Sequence, residues 1–118
     1  MLGKWVKSFW WAIAGWKAVW REENNFRIEV IVGVFVIVST IAFHFTYVES
    51  AFVVIAVILV LTGEIVNTAI EDVCNKIQPK KDMAIGKIKD MMAAFVLISS
   101  FGALVLGILT FAHHFLYL

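Results

Sequence analysis

Residues 51–72 read AFVVIAVILVLTGEIVNTAIED. From Ala51 to Leu61 no side chain is charged. About 20 residues of helix cross the roughly 30 Å of a bilayer's hydrocarbon, so Ala51 to Ile70 has the length and polarity of a membrane span. Its last turns break the pattern. Glu64, Asn67 and Glu71 stand at i, i+3 and i+7, which places them along one helix face. An ionisable group inside a membrane helix is costly and turns toward protein or water. Glu71 lies near the boundary and reaches the interface, whereas Glu64 is about two turns deeper. Gly63, Thr68 and Ala69 are small and permit a close helix neighbour. Two roles remain open for the stripe: polar glue between helices, or a functional site.

Composition supports the membrane setting. Of 118 residues, 62% are hydrophobic and 16% charged, and the mean hydropathy is +0.90. Soluble domains of this size rarely reach such values. The formal net charge of +1 gives no basic footprint for nucleic acid, and none is expected as a partner. The one cysteine, Cys74, excludes an intrachain disulfide and reads as an apolar filler. The opening residues are interrupted by lysines and lack a signal-peptide pattern, so we expect them in the mature chain.

Two more apolar runs flank the first. The expected organisation is a single domain over 1–118 with an interfacial helix at 1–25. Transmembrane helices follow at 28–47, 51–71 and 91–112, with a loop at 76–90. Helices are expected because only they, or a closed barrel, satisfy their own backbone in lipid. Lys4, Lys7, Lys17, Arg21 and Arg27 precede the first span, and Lys76, Lys80, Lys81, Lys87 and Lys89 lie between the second and third. The turn HFTYVES and the tail HHFLYL hold no lysine or arginine. This bias predicts a cytoplasmic N-terminus and 76–90 loop, with the C-terminus outside. In the first segment Leu2, Trp5, Phe9, Ile13, Trp16 and Trp20 recur at helical spacing, and all five tryptophans of the chain fall there. Tryptophans and flanking lysines suit a helix lying in the interface plane. Asn24-Asn25 is the expected break before the first span, and Pro79 marks a turn in the loop.

The remaining polar residues gather at the cytoplasmic helix ends. Glu22-Glu23-Asn24-Asn25-Phe26-Arg27-Ile28-Glu29 precedes and enters the first span, with Arg27 as the local candidate partner of Glu29. Lys87-Ile88-Lys89-Asp90 opens the third span, where Asp90 complements a helix N-terminus. Carboxylates of this kind suit Mg²⁺, which is usually held by one or two of them together with substrate phosphates. Lysines suit phosphate charge. There is no GxxxxGK loop, no HExxH and no zinc-type cysteine spacing. His113 and His114 are expected to cap the far interface, and His44 to sit at the outer boundary.

ENNFRIE, GEIVNTAIE and KIKDMMAAFVLI, in this order, closely resemble the small bacterial membrane lipid kinases. That family comprises diacylglycerol and undecaprenol kinases, and the similarity runs from about Ser8 to the end of the third span. The resemblance implies an all-α fold of one surface helix and three transmembrane helices. It also implies a homotrimer whose active sites are shared between subunits, in the bacterial inner membrane. Its reaction would move the ATP γ-phosphate to a lipid hydroxyl with Mg²⁺ as cofactor. By the same resemblance Glu64 is the base, and Glu23 and Glu71 are metal ligands. Asn67, Lys89, Asp90, Gly86 and Trp11 meet the nucleotide, and Trp20, Arg27 and Glu29 meet the lipid. Two positions depart from the commoner pattern: Asp82 replaces a frequent loop histidine, and Ala93 replaces a serine common in the diacylglycerol kinases. Asp82 bears on the nucleotide contacts, whereas Ala93 and the register SFWWAIAGWKAVW favour undecaprenol as acceptor over diacylglycerol.

Overall fold

A computed structural model of the chain describes residues 1–117. Among the described residues there are four helices and no strand: α1 (Leu2–Glu22), α2 (Asn24–Ala42), α3 (Tyr47–Ile77) and α4 (Met83–Leu116). α2, α3 and α4 are each long and apolar enough to cross a membrane. α1 packs on α2, α2 on α3, and α3 on α4.

α1 is amphipathic but nearly all on the surface; Val19 is its one buried residue. Trp5 and Trp11 stay about 70% open, as an interfacial helix requires (71% and 69%). The chain breaks at Glu23, whose extended backbone ends α1 and begins α2. The expected break lay one residue later. Phe26, fully buried, holds this corner by packing edge-on against Trp16 with ring centroids 5.0 Å apart.

α2 closes on α3 at Gly33, where an added Cβ would stand 2.9 Å from Val57 Cγ1. α2 then ends with His44 in the left-handed region, φ 56°, the position glycine or asparagine usually takes. The Phe45 N–H donates to the Thr40 carbonyl at 2.9 Å and seals the turn. Thr46 and Glu49 form a reciprocal capping box at the start of α3.

The end of the bundle that holds the α2–α3 turn is tied together more tightly than an interfacial cap would be. The buried Glu49 carboxylate lies 2.8 Å from His113 Nδ1 and 3.0 Å from His114 Nδ1. His114 Nε2 donates to the Phe43 carbonyl at 2.9 Å, and Phe45 stacks on the ring at 4.1 Å. His113 and His114 thus join α4 to the α2–α3 turn. Glu49, which the sequence did not single out, is the hub.

The ends of α3 and α4 that meet at the loop differ from expectation in one systematic way. α3 runs on to Ile77 and α4 begins at Met83, so the expected 76–90 loop shrinks to residues 78–82. At about 1.5 Å rise per residue a 31-residue helix exceeds the bilayer, so polar character at its end marks exit from lipid, not the end of the helix. Asp82, not Asp90, caps α4: its carboxylate accepts from Ala84 N–H at 2.8 Å. Asp90 stands well inside the helix and is exposed.

Candidate functional site

Glu64 sits on α3 with its backbone pressed toward α4, because Gly63 faces Phe95 and Ser99. Its side chain is 9% exposed. A single chain therefore covers this carboxylate. The groups that reach it are acidic. Glu29 of α2 comes within hydrogen-bonding reach, and the charge of Glu23 is felt there too. Glu29 Oε2 and Arg27 Nε are buried, and neither has a hydrogen-bond partner among the described residues. The expected Arg27–Glu29 pair does not form; Glu29 turns to Glu64 instead, because the two lie on facing sides of α2 and α3.

An apolar groove of about 460 Å³ leads away from Glu29. Val32, Gly33 and Val36 of α2, Val53 to Val60 of α3, and Ala103 to Phe111 of α4 contribute its walls. Ser100 lines it as well.

On the α4 side of α3 lies a second cleft of about 510 Å³. It brings Asn67, Glu71 and Lys89 together with Ala93, and it shares Ser100 with the apolar groove. Lys89 Nζ donates to Asn75 Oδ1 at 2.8 Å, which aims the ammonium along α3. Lys89 also borders a loop hollow with Lys80, Lys81 and Gly86. Lysines at three positions around one hollow are suited to polyphosphate charge.

The sequence-predicted residues thus fall into groups. Glu29 and Glu64 meet between α2 and α3, with Glu23 at the α1–α2 corner. Asn67, Glu71 and Lys89 meet between α3 and α4, with Gly86 beside Lys89. Trp20 is half-buried near the corner, Trp11 is exposed on α1, and Asp90 is exposed on α4; none of these three lines a cleft with the others. Glu71 and Glu23 are not brought together, and no set of three His, Cys, Asp or Glu side chains closes around a metal among the described residues. Asn75 and Ser100 were not anticipated. Asn75 continues the stripe of Glu64 and Glu71 at i+4 from Glu71, a signal present in the sequence; Ser100 carries no such signal.

Residues 10–111 match the family model described as prokaryotic diacylglycerol kinase. A protein of Synechocystis named diacylglycerol kinase is 32% identical over 101 residues, covering 85% of this chain and 58% of its own. The diacylglycerol kinases of Haemophilus influenzae and Escherichia coli K12 are each 28% identical, over 94 and 110 residues. The matches cover 80% of both chains for the first and 93% and 90% for the second. This chain therefore spans a little over half the length of the Synechocystis relative but most of the other two. Three apolar helices with acids and lysines gathered at one end, joined to these matches, define an integral membrane lipid kinase. The chain belongs to the prokaryotic diacylglycerol kinase family.

Proposed function

We propose that this chain transfers the γ-phosphate of ATP to the hydroxyl of diacylglycerol at the cytoplasmic face of a bacterial membrane. The observation that carries this reading is the meeting of two clefts. An apolar groove ends at Glu29 beside Glu64, and at Ser100 it adjoins the cleft of Asn67, Glu71 and Lys89. A lipid alcohol laid along the groove would bring its head to the carboxylates. A nucleotide entering from the lysine-rich side would bring its phosphates to the same depth.

The bonds exchanged are simple. The lipid oxygen bonds to the γ-phosphorus, the bond to the β–γ bridging oxygen breaks, and ADP leaves. Glu64 takes the hydroxyl proton, and positioning with charge stabilisation does the rest. Lys89 and the loop lysines hold phosphate charge. The buried, unpartnered Glu29 Oε2 and Arg27 Nε await hydrogen bonds that a glycerol head would make.

Mg²⁺ fits the donor chemistry. Glu71, in the cleft beside Lys89, is a hard oxygen ligand, and a cation arriving on ATP needs only one or two carboxylates, so Glu23, which stands apart from Glu71, is not required in the same chain's site. When bound it would neutralise charge on the phosphates.

Diacylglycerol takes first place because all three relatives described above carry that name. Undecaprenol is the second reading, supported by Ala93, which lines the α3–α4 cleft where a serine is common in diacylglycerol kinases. The test is ATP-dependent phosphorylation of diacylglycerol and of undecaprenol, side by side with Mg²⁺ in one lipid–detergent preparation. Preference for diacylglycerol supports the proposal. Preference for undecaprenol reverses the acceptor, and no phosphorylation by a folded sample overturns the kinase.

A further inference from the structure

Ser100 of α4 is the residue that the apolar groove and the α3–α4 cleft share. It is half-buried. Of the residues lining the groove, only Glu29 and Ser100 carry a side-chain oxygen. The level of Ser100 follows from its neighbour Ser99, which packs against Gly63 of α3: a Cβ built on Gly63 would stand 3.8 Å from the Ser99 Cβ. α3 and α4 run in opposite directions from the 78–82 loop. Relative to the Gly63–Ser99 contact, Glu64 is therefore one residue nearer the loop and Ser100 one residue further from it. At about 1.5 Å of rise per residue, Ser100 stands roughly 3 Å deeper than the base.

Hydroxyls elsewhere in the spans turn back onto their own helix. Ser39, Thr40, Thr62 and Thr110 each donate to a carbonyl three or four residues earlier. Ser100 makes no such bond among the described residues. A hydroxyl left unbonded in an apolar wall is unfavourable, so a hydrogen-bond acceptor is wanted in the groove at this level. A diacylglycerol brings one. Its ester carbonyls join the glycerol to the tails, so they lie on the tail side of the free hydroxyl and only a few bonds from it. A polyprenol is hydrocarbon from its first carbons onward and leaves Ser100 without a partner. Ala93, two turns nearer the loop in the same cleft, offers no hydroxyl that could do this instead.

We propose that Ser100 donates a hydrogen bond to an ester carbonyl of the acceptor lipid and thereby selects diacylglycerol over a polyprenol. The contact rests on the reading that the groove holds the lipid and that Glu64 takes its proton. It adds a residue that sets which alcohol is accepted and leaves the transfer of the phosphate to the groups already described.

The test compares three acceptors in one lipid–detergent preparation with ATP and Mg²⁺: diacylglycerol, the matching dialkylglycerol, in which ether links replace the esters, and undecaprenol. The unmodified full chain, Ser100→Ala and Ser99→Ala are assayed side by side, per folded molecule. Ser100→Ala should lower kcat/KM for diacylglycerol about fivefold, the usual worth of one hydrogen bond. The unmodified chain should use dialkylglycerol about fivefold less well than diacylglycerol. Ser100→Ala should not lower that rate further, because removing the carbonyl and removing the hydroxyl delete the same bond. Undecaprenol kinetics and the KM for ATP should hold. Ser99→Ala, whose hydroxyl faces Gly63 and lines neither hollow, should keep the preference for the ester. Equal loss on ester and ether lipids overturns the carbonyl contact. Equal loss on undecaprenol, or a raised KM for ATP, also overturns it and makes Ser100 a packing or nucleotide residue. No loss on any acceptor, or phosphorylation of undecaprenol alone, overturns it as well, and all these outcomes leave the kinase standing. A folded chain that phosphorylates none of the three overturns the kinase reading, and this contact with it.

Discussion

At Glu64 the question is what a carboxylate does that an amide cannot. Glutamine has the same shape and still hydrogen-bonds, so Glu64→Gln keeps the α2–α3 contact and removes only the base. We expect a folded protein with activity reduced at least about a hundredfold, within the usual contribution of a general base. Steady-state phosphorylation beside a melting curve checks both halves. Full turnover in Glu64→Gln would return the stripe to the role of helix glue. His114 tests the opposite case, a polar residue serving the fold alone. His114→Ala strands the Phe43 carbonyl and removes one support of Glu49. An unsatisfied buried carbonyl costs about 1–3 kcal/mol. The melting temperature should fall while activity per folded molecule holds, since the ring lies at the far end of α4. His113→Ala should matter less, because that side chain is 67% exposed. The α3 stripe was legible from spacing because Glu64, Asn67 and Glu71 share one helix. The Glu49–His113–His114 cluster was not: its members are more than 60 positions apart (64 and 65), and no local pattern links them.

Among the elements, hydropathy located the three spans because lipid demands an unbroken apolar run. It misplaced the ends of α3 and α4 at their shared loop because a helix does not stop where the hydrocarbon does. Residues 71–77 and 83–90 carry Glu71, Asp72, Lys76, Lys87, Lys89 and Asp90 yet are helical, and only the stretch around Pro79 interrupts them. Which helix faces meet was beyond the pattern, since α2 and α4 are apolar nearly all round. Two glycines show what the meeting decides. Gly33 lies where α2 touches Val57, and an added methyl 2.9 Å from Val57 Cγ1 forces that side chain or its helix to give way. Gly107 also lines the apolar groove, yet a Cβ there meets nothing within 4 Å. Gly107→Leu should therefore leave folding intact and fill groove volume. We expect the KM for the lipid acceptor to rise about tenfold with the KM for ATP unchanged, since pocket volume of this order discriminates by 10–200-fold. Gly33→Ala should instead lower the melting temperature. If Gly107→Leu leaves lipid kinetics untouched, the acceptor lies elsewhere.

The whole molecule is a slab, 54 × 41 × 24 Å, and its arrangement separates what one chain completes from what it does not. One chain brings Glu64 and Glu29 together, and Asn67, Glu71 and Lys89 together. Asp90 and Trp11, both expected at the nucleotide, stand exposed and line neither cleft. If the nucleotide site takes Asp90 or Trp11 from a neighbour, as the proposed trimer with shared sites requires, two dead chains can repair each other. Glu64→Gln lacks the base and keeps Asp90; Asp90→Asn does the reverse. Mixed as unfolded chains in equal amounts and refolded together, they assemble at random around a closed ring. A site drawing Glu64 from one subunit and Asp90 from the next then finds both intact in about one case in four. We therefore expect about a quarter of unmodified activity from the mixture, and almost none from either variant refolded alone. No recovery in a mixture of verified oligomers would mean that each chain supplies both residues to its own site. The exposure of Asp90 would then have to be closed by the nucleotide itself.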